Sequence, residues 1–140
     1  MTAVYFDTSA YLKLLLDDEV GRDVVLDLWE AATVAASSRL ADIEVRAGLG
    51  AAHRTGRLTA AGRRGAELRW ERYWAESRPI ELTEAVGGRA GALAIRHALT
   101  GADAVHLASA EVLGTAIMAT WDRRLGAAAA AVGLAVVPAA

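Results

Sequence analysis

Short apolar runs alternate with segments of helical periodicity along the whole chain, and this alternation is the feature that most constrains its fold. The runs cover residues 3–6, 33–36, 80–82, 115–120 and 134–137. Between them, apolar residues recur at offsets of about three and four, as on one face of an α-helix. Strands that alternate with helices predict an α/β sandwich with a mostly parallel central sheet. The length of 140 residues predicts a single domain, residues 1–140.

Composition excludes several classes of site. The chain contains no cysteine, so it has no disulfide framework and no thiolate ligand or nucleophile. Its three histidines are scattered, which argues against a zinc site. No apolar run approaches the roughly 20 residues of a membrane span, and no secretory signal pattern opens the chain. We therefore expect a soluble, cytoplasmic protein with no membrane partner.

The net charge of -2 hides a basic region between residues 54 and 78, which holds seven arginines and three glutamates. Such a region indicates either a basic face for a nucleic acid or the solvated exterior of a helix. Charge alone does not separate these two interpretations.

Two aspartates directly follow apolar runs. Asp7 follows the first run, and Asp122 stands just beyond the run that ends at residue 120. In open α/β sheets, ligands bind beyond the carboxyl ends of the strands, so both side chains are expected at the binding edge. Asp103 opens a predicted helix over residues 103–113 and has two interpretations. Its carboxylate either caps that helix or joins the two strand-end aspartates.

Glu44 falls inside an apolar stripe of the predicted third helix, formed by Leu40, Ile43, Ala47 and Ala51. This position predicts a side chain that points inward. A carboxylate in an apolar stripe is costly unless it is paired, neutralised or bound to a cation. The alternative is a glutamate whose long stem reaches solvent from the edge of the stripe.

The convergence of four carboxylates at one edge of the sheet predicts a cation. Carboxylates that face one another repel in the absence of a positive charge, so a divalent ion is the economical explanation. An all-oxygen site suits magnesium or manganese. His97 and His106 lie among apolar neighbours, and we interpret both as packing or hydrogen-bonded histidines without a catalytic role.

The helix predicted over residues 58–77 is apolar over a wide arc, with two adjacent stripes. The first contains Leu58, Ala61, Gly65 and Leu68, and the second contains Ala66, Trp70, Tyr73 and Trp74. One stripe packs on the core. Trp70 and Trp74 either belong to the core as well or remain available to a partner chain or an RNA base.

Four sequence motifs carry a family resemblance. They are VYFDTSA at residues 4–10, SRLADIEVRAGL at 38–49, GADAVHLASA at 101–110 and TWDRRL at 120–125. In this order they resemble the four acidic motifs of PIN-domain ribonucleases, and most closely those of the VapC-type toxins of bacterial toxin–antitoxin pairs. The resemblance covers nearly the whole chain. It implies a PIN-like three-layer sandwich, with the central sheet flanked by helices.

The resemblance also implies a function. It predicts a magnesium-dependent endoribonuclease that cleaves RNA, with Mn²⁺ as a possible substitute for Mg²⁺. Such toxins are usually homodimers, held inactive by a cognate antitoxin whose C-terminal tail enters the acidic groove. The sequence does not indicate which RNA is cut or which antitoxin binds.

The motifs assign candidate roles residue by residue. The resemblance carries over the acids Asp7, Glu44, Asp103 and Asp122, with Ser9 and Thr120 as supporting hydroxyls. Asp7, Asp103 and Asp122 are the proposed metal ligands, and Glu44 would orient or deprotonate the attacking water. Two departures are noted: Trp121 stands where the family usually has a small residue, and Thr100 with Gly101 precede the third motif in place of the commoner pair. Neither departure removes an acid, so we expect activity to survive, while the choice of substrate is less well determined.

Other α/β enzymes that use an aspartate after the first strand fit poorly. A phosphatase of that kind needs a second acid two residues later, where Ser9 stands. A phospho-receiver needs a lysine late in the chain, and the only lysine is Lys13. A non-catalytic PIN-like module that binds RNA or protein remains the alternative.

Overall fold

The computed structural model describes residues 2–17, 19–114 and 117–138. Within them, seven helices and five strands follow one another along the chain. In order, they are β1 (Ala3–Phe6), α1 (Thr8–Leu15), α2 (Arg22–Ala31), β2 (Val34–Ser38), α3 (Leu40–Arg54), α4 (Ala60–Ala75), β3 (Arg78–Ile80), α5 (Glu84–His97), α6 (Gly101–Leu113), β4 (Ile117–Ala119), α7 (Arg123–Ala131) and β5 (Ala135–Val137). The sequence predicts a strand over 115–120. Its first two residues, 115 and 116, lie outside the described residues, and β4 spans Ile117–Ala119.

The five strands form one sheet in the order β3-β2-β1-β4-β5. All four neighbouring pairs are parallel. In the central strand, Tyr5 lies opposite Ala36 of β2 and Met118 of β4. The predicted α/β fold with a parallel sheet is thereby confirmed. Because β1 is central, the residue that follows it lies at the middle of the carboxyl edge.

Side chains of β1 alternate between two hydrophobic cores, one on each side of the sheet, because successive residues of a strand point to opposite faces. Val4 and Phe6 belong to the core that α1, α2, α3 and α4 cover. Tyr5 belongs to the core that α5, α6 and α7 cover. We call the first the aromatic layer, after Phe6, Tyr11, Trp29, Trp70 and Trp74. The second is the alanine layer, after Ala90, Ala104, Ala108, Ala110, Ala128 and Ala129. Two helical layers around a sheet are the three-layer sandwich that the resemblance implied.

The predicted buried face of the third helix is wrong. The side chains of α3 that are buried are Ala41, Val45, Leu49 and Ala52, whereas Ile43 is 65% exposed. Both sets repeat at helical spacing and are similar in size, and the buried set is the one that packs in the core with α1 and α4. Periodicity therefore placed the helix correctly but chose the wrong stripe.

In α4, the aromatic stripe packs in the core. Ala66 and Trp70 are fully buried, while Leu68 of the first stripe is 58% exposed. Large aromatic side chains bury more apolar area than a leucine, so the helix turns them inward. The interpretation of Trp70 as a free surface for RNA is wrong.

The second and third strands differ most from their predicted bounds. The second strand ends at Ser38 rather than residue 36, and the third spans Arg78–Ile80 rather than 80–82. Pro79 lies inside the third strand. A proline is tolerated there because β3 is at the edge of the sheet, where one row of backbone groups needs no partner strand.

Several arginines of the basic region form contacts with acidic side chains or backbone oxygens of this protein. Arg63 Nη1 lies 2.7 Å from Glu67 Oε1, and Arg69 Nη2 donates to the carbonyl oxygen of Leu15 at 2.7 Å. These contacts support the solvated-exterior interpretation for this part of α4. Within the part of the chain that the structure describes, no helix is both long enough and apolar enough to cross a membrane.

Candidate active site

Asp7 occupies the junction between β1 and α1, where its carboxylate is held from three sides. It is the N-cap of α1, and its Oδ1 accepts hydrogen bonds from the backbone N–H of Ala10 at 2.9 Å and from Ser9 Oγ at 2.6 Å. Its Oδ2 accepts from Thr120 Oγ1 at 2.5 Å. The residue is only 4% exposed. Burial raises the pKa of Asp7, and the nearby His106 and these hydrogen bonds offset that rise only in part.

Ser9 and Thr120 connect the end of β1 to the segment after β4. Ser9 Oγ donates to Asp7 and accepts from the backbone N–H of Trp121 at 2.9 Å. Thr120 Oγ1 donates to Asp7 and accepts from the backbone N–H of Asp122 at 3.1 Å. Each hydroxyl therefore fixes the orientation of the Asp7 carboxylate while it holds the neighbouring loop. The structure places both hydroxyls beside Asp7, where the sequence analysis expected supporting groups.

Asp122 begins the helix that follows β4. It is the N-cap of α7, and its Oδ1 accepts from the backbone N–H of Leu125 at 2.9 Å. A single carboxylate oxygen accepts the capping hydrogen bond, so the second oxygen is left for another partner. Asp122 therefore combines a structural role with a place at the acidic edge.

Asp103 does not cap its helix. The helix begins at Gly101, and the N-cap is Thr100, whose Oγ1 accepts from the backbone N–H of Asp103 at 3.2 Å. Asp103 lies in the first turn, partly buried. Burial raises its pKa most, and the negative charges of Asp122 and Asp7 raise it further. The three aspartates are therefore close enough to repel one another, which favours the interpretation of Asp103 as a member of the site.

Glu44 reaches the site from α3. Its Oε1 accepts from Thr8 Oγ1 at 2.8 Å and lies 2.6 Å from His106 Nε2. The hydrogen bond with His106 is the largest effect on Glu44 and lowers its pKa, against the opposing effect of burial. The predicted inward orientation is therefore found, although the apolar stripe that predicted it is not the buried one. The alternative of a carboxylate that only reaches solvent is wrong.

His106 is hydrogen-bonded, as expected, but its partner is a candidate site residue that the sequence analysis did not connect with it. Besides Glu44, it contacts the hydroxyl of Tyr5, which lies 2.7 Å from His106 Nδ1. One signal in the sequence pointed to this position. Residues three apart on a helix lie on the same side, and His106 follows Asp103 by three.

The charge and donor chemistry of the three aspartates fit a hydrated divalent cation. Their oxygens are hard ligands, and both burial and mutual repulsion make a bound positive charge favourable. Over residues 2–17, 19–114 and 117–138, however, no three His, Cys, Asp or Glu side chains are grouped closely enough to hold a metal ion by themselves. Magnesium keeps several waters and commonly binds one or two carboxylates together with substrate phosphate. The residues therefore fit that mode of binding better than a closed protein cage.

Trp121 fills the space between the acidic edge and the turn before α2. A Cβ atom added to Gly21 would lie 2.7 Å from Trp121 Cζ2, and the ammonium of Lys13 lies 5.3 Å from the centre of a Trp121 ring. Trp121 also lines a cavity of about 540 Å³ together with Thr120 and Asp122. The tryptophan thus forms one wall of the cavity beside Asp122.

Comparison with known proteins relates this chain to PIN-domain proteins. The family model for the PIN domain matches residues 4–131. Ribonuclease VapC45 and ribonuclease VapC49, from two strains of Mycobacterium tuberculosis, are each 51% identical to this chain over 141 residues. Each alignment covers 99% of this chain and 97% of the relative.

Solved structures share the fold at lower identity. The sarcin-ricin loop cleaving toxin VapC20 of Mycobacterium tuberculosis superimposes with a TM-score of 0.68 at 19% identity, covering 89% of this chain and 94% of that one. VapBC2 from Rickettsia felis, bound to a DNA fragment from its promoter, gives a TM-score of 0.68 at 10% identity, covering 96% and 97%. At these identities the likeness shows the fold.

Proposed function

This chain belongs to the PIN-domain family, and we propose that it is an endoribonuclease, the toxin component of a toxin–antitoxin pair. Two relatives at 51% identity over nearly the full length are named ribonucleases, which supports the reaction. The Rickettsia VapBC2 structure and a toxin–antitoxin complex from Klebsiella pneumoniae share the fold, which supports the biological setting. The substrate is RNA, and the bond cleaved is the phosphodiester.

The observation that carries this proposal is the electrostatic coupling of Asp7, Asp103 and Asp122 at the carboxyl edge of the sheet. The pKa of Asp103 is raised by burial and by the negative charges of Asp122 and Asp7, and burial raises the pKa of Asp7, so this edge is destabilised when no positive partner is bound. A divalent cation relieves that repulsion, and PIN-domain ribonucleases generally depend on one. We propose Mg²⁺ as the ion, with Mn²⁺ as a substitute, because every candidate ligand is an oxygen.

In the proposed mechanism, Asp7 and Asp103 hold the cation, and Asp122 completes its shell directly or through water. When bound, the cation supplies a nucleophilic water near neutral pH and neutralises charge at the scissile phosphate. Ser9 and Thr120 keep the Asp7 carboxylate in one orientation through their hydrogen bonds. Glu44, whose pKa is lowered, is ionised at neutral pH and accepts a hydrogen bond from the attacking water.

The direct test is cleavage of labelled single-stranded and structured RNAs by the purified chain, freed of any bound partner, in Mg²⁺ or Mn²⁺. We expect cleavage to disappear with chelator and in Asp103→Asn. The matched control is Asp23→Asn, which changes an exposed aspartate of α2 and is expected to cleave normally. Cleavage that persists in chelator, or in Asp103→Asn, would contradict the metal-dependent mechanism.

The alternative of a non-catalytic RNA- or protein-binding module loses its main support. That interpretation used Trp70 and Trp74 of α4 as a contact surface, but Trp70 is fully buried and its indole N–H donates to Asp42 at 2.8 Å, which leaves only the partly buried Trp74. A binding module also does not explain why three aspartates are brought together against their mutual repulsion.

Membership of this family also supports a homodimer that a cognate antitoxin neutralises in the cytoplasm. Large apolar side chains at the surface, such as Ile95 of α5 at 88% exposure and Val112 of α6 at 61%, offer area for protein contacts. Sedimentation of the purified chain tests the dimer. Co-purification with the product of an adjacent small gene, with loss of RNA cleavage in the complex, tests the antitoxin.

A further inference from the structure

A continuous chain of polar groups runs through the alanine layer to Glu44. The backbone N–H of Ser38 donates to the Tyr5 hydroxyl oxygen at 2.9 Å. That hydroxyl lies 2.7 Å from His106 Nδ1, and His106 Nε2 lies 2.6 Å from Glu44 Oε1. Tyr5 is fully buried and His106 is 2% exposed, so solvent cannot replace these partners.

One arrangement of hydrogens satisfies Tyr5, His106 and Glu44 together. Because Ser38 already donates to the Tyr5 oxygen, the single hydroxyl hydrogen of Tyr5 is available to His106 Nδ1. Burial raises the pKa of Tyr5, so the hydroxyl keeps that hydrogen. In a neutral imidazole whose Nδ1 accepts, the hydrogen is on Nε2 and points to Glu44. This tautomer is inferred from the network, and in it Tyr5 and His106 each accept one hydrogen bond and donate one.

Both hydrogen bonds to Glu44 are made at one oxygen. Thr8 Oγ1 donates to Oε1, and His106 Nε2 approaches the same atom. Two donors on Oε1 fix the rotation of the carboxylate and leave Oε2 as the oxygen for another ligand. A glutamate side chain otherwise has considerable rotamer freedom, which it loses only if its surroundings hold it.

We propose that His106, oriented by Tyr5, is a positioning residue that holds Glu44 in the geometry required for RNA cleavage. The proposal rests on the proposed ribonuclease function, in which Glu44 contacts the attacking water. Glu44 comes from α3 in the aromatic layer and His106 from α6 in the alanine layer. Their hydrogen bond is therefore a direct connection between the two layers at the acidic site.

A pair of substitutions at His106 separates positioning from bulk. The amide nitrogen of glutamine reaches about as far as Nε2, so His106→Gln keeps a donor to Glu44. The shorter asparagine reaches only the level of Nδ1, so His106→Asn keeps a polar group near Tyr5 but loses that donor. We expect kcat to fall on the order of tenfold to a hundredfold in His106→Asn, with little change in KM, and to be largely retained in His106→Gln. Tyr5→Phe keeps the ring and is expected to lower kcat less than His106→Asn.

Two controls accompany these rates. Thermal unfolding identifies a variant that has lost its fold, and Mn²⁺ titration shows whether the aspartates still bind the cation. We expect Mn²⁺ affinity to be the same in wild type and in both His106 variants, since none of the proposed metal ligands is altered. Equal kcat in wild type, His106→Gln and His106→Asn would overturn the proposal.

A second readout does not depend on cleavage. The Glu44 side-chain carboxyl, labelled with ¹³C, can be titrated by NMR in the absence of metal. The charged groups near the His106 ring are Glu44 itself, Asp7 and Asp103, so all three are followed in the same experiment. We expect the midpoint of Glu44 to move to higher pH in His106→Asn and to stay low in His106→Gln.

The two proposals fail differently. A wild-type chain that cleaves no RNA in either metal contradicts the ribonuclease function, while a Glu44 midpoint that moves as expected still supports the hydrogen bond that positions it. If the wild-type enzyme is active but the titration midpoint of Glu44 is the same in wild type, His106→Gln and His106→Asn, the positioning role is contradicted. The ribonuclease function is not affected by that result.

Discussion

The two layers that cover the sheet are built from different materials. In the aromatic layer, rings pack against one another: the Tyr11 and Trp70 centroids are 4.8 Å apart at 71°, and those of Trp29 and Tyr73 are 5.0 Å apart at 86°. In the alanine layer, α6 alone buries Ala104, Ala108 and Ala110. Edge-to-face ring contacts add directional stabilisation to a large buried area. Small side chains instead allow helices to approach one another and the sheet closely.

This difference teaches that the layers respond to opposite kinds of change. A core of large rings is sensitive to truncation, because each ring that is lost leaves a cavity. A core of alanines has little to truncate and is sensitive to enlargement, because no space remains for added atoms. The site lies where the layers meet, with Glu44 from one and Asp103 from the other.

The largest loss of folding stability is expected for Trp70→Ala in the aromatic layer. The side chain is fully buried and stacks on Trp74 with centroids 5.4 Å apart, so its loss leaves a large cavity. We expect the free energy of unfolding to fall by about 3–5 kcal/mol in denaturant titration. Trp74→Ala serves as the control and should cost less, because Trp74 is only partly buried. A loss for Trp70→Ala below about 1 kcal/mol would remove the basis of the comparison.

The reciprocal change is Ala108→Leu in the alanine layer. Ala108 is fully buried on α6, and the added atoms must displace neighbours. We expect a loss of about 1–3 kcal/mol in the free energy of unfolding. Ala127→Leu on α7 is the matched control, since Ala127 is exposed and should change stability by less than about 0.5 kcal/mol. Equal effects at the two alanines would show that the alanine layer is loosely packed.

The next prediction concerns Asp7→Asn, at the edge where the layers meet. We expect this variant to melt at a higher temperature than wild type at pH 7 in chelator. In the presence of Mg²⁺ we expect it to cleave no RNA. Burial raises the pKa of Asp7 above its ordinary 3.8, so the folded state holds the charged form less well than the unfolded chain does. Asparagine caps a helix as well as aspartate and carries no charge, and Thr120 Oγ1 can turn to accept from its amide nitrogen where it now donates to Asp7 Oδ2. The gain should shrink as the pH falls through the pKa of folded Asp7 and vanish below about 3.8. Unfolding scans across this range, with Asp23→Asn as control, check the sign.

The smallest effect is expected at the outer side of the aromatic layer, for Arg46→Ala. Arg46 Nε lies 3.0 Å from Asp42 Oδ1 one turn earlier on α3, and its side chain is 46% exposed. An exposed pair of this kind contributes a few tenths of a kcal/mol. Denaturant titration should therefore show almost no change, as should Arg63→Ala on α4. A cost above about 1 kcal/mol at Arg46 would mean that ion pairs, as well as rings, stabilise this layer.

Local patterns in the sequence identified the strands and the acids that follow them. The run at residues 3–6 is β1 with its predicted bounds, because Asp7 directly after it caps the helix that begins at Thr8. Asp7 and Asp122 were placed at the carboxyl edge by the same reasoning. Such inferences succeed because a strand end and the residue after it are neighbours along the chain.

The buried faces of helices were less predictable. In α3, two stripes of small and apolar residues repeat with the same period, and only contact with α1 and α4 selects Val45 and Leu49 over Ile43. The role of Asp103 was equally ambiguous until Thr100 was found to be the cap. The buried face of α3 depends on which helices pack against it, and the role of Asp103 depends on which side chain caps α6. Neither can be read from the local sequence.

The sequence by itself determined the α/β order, the parallel sheet that follows from it, and the strand-end positions of the candidate acids. These depend on periodicity and on residues adjacent in the chain. Only the tertiary structure decided which side of each helix is buried and which groups meet at the site. Glu44 and His106 are 62 positions apart and lie on opposite layers, so no local pattern could pair them. Their 2.6 Å contact exists because the sheet brings α3 and α6 to the same edge.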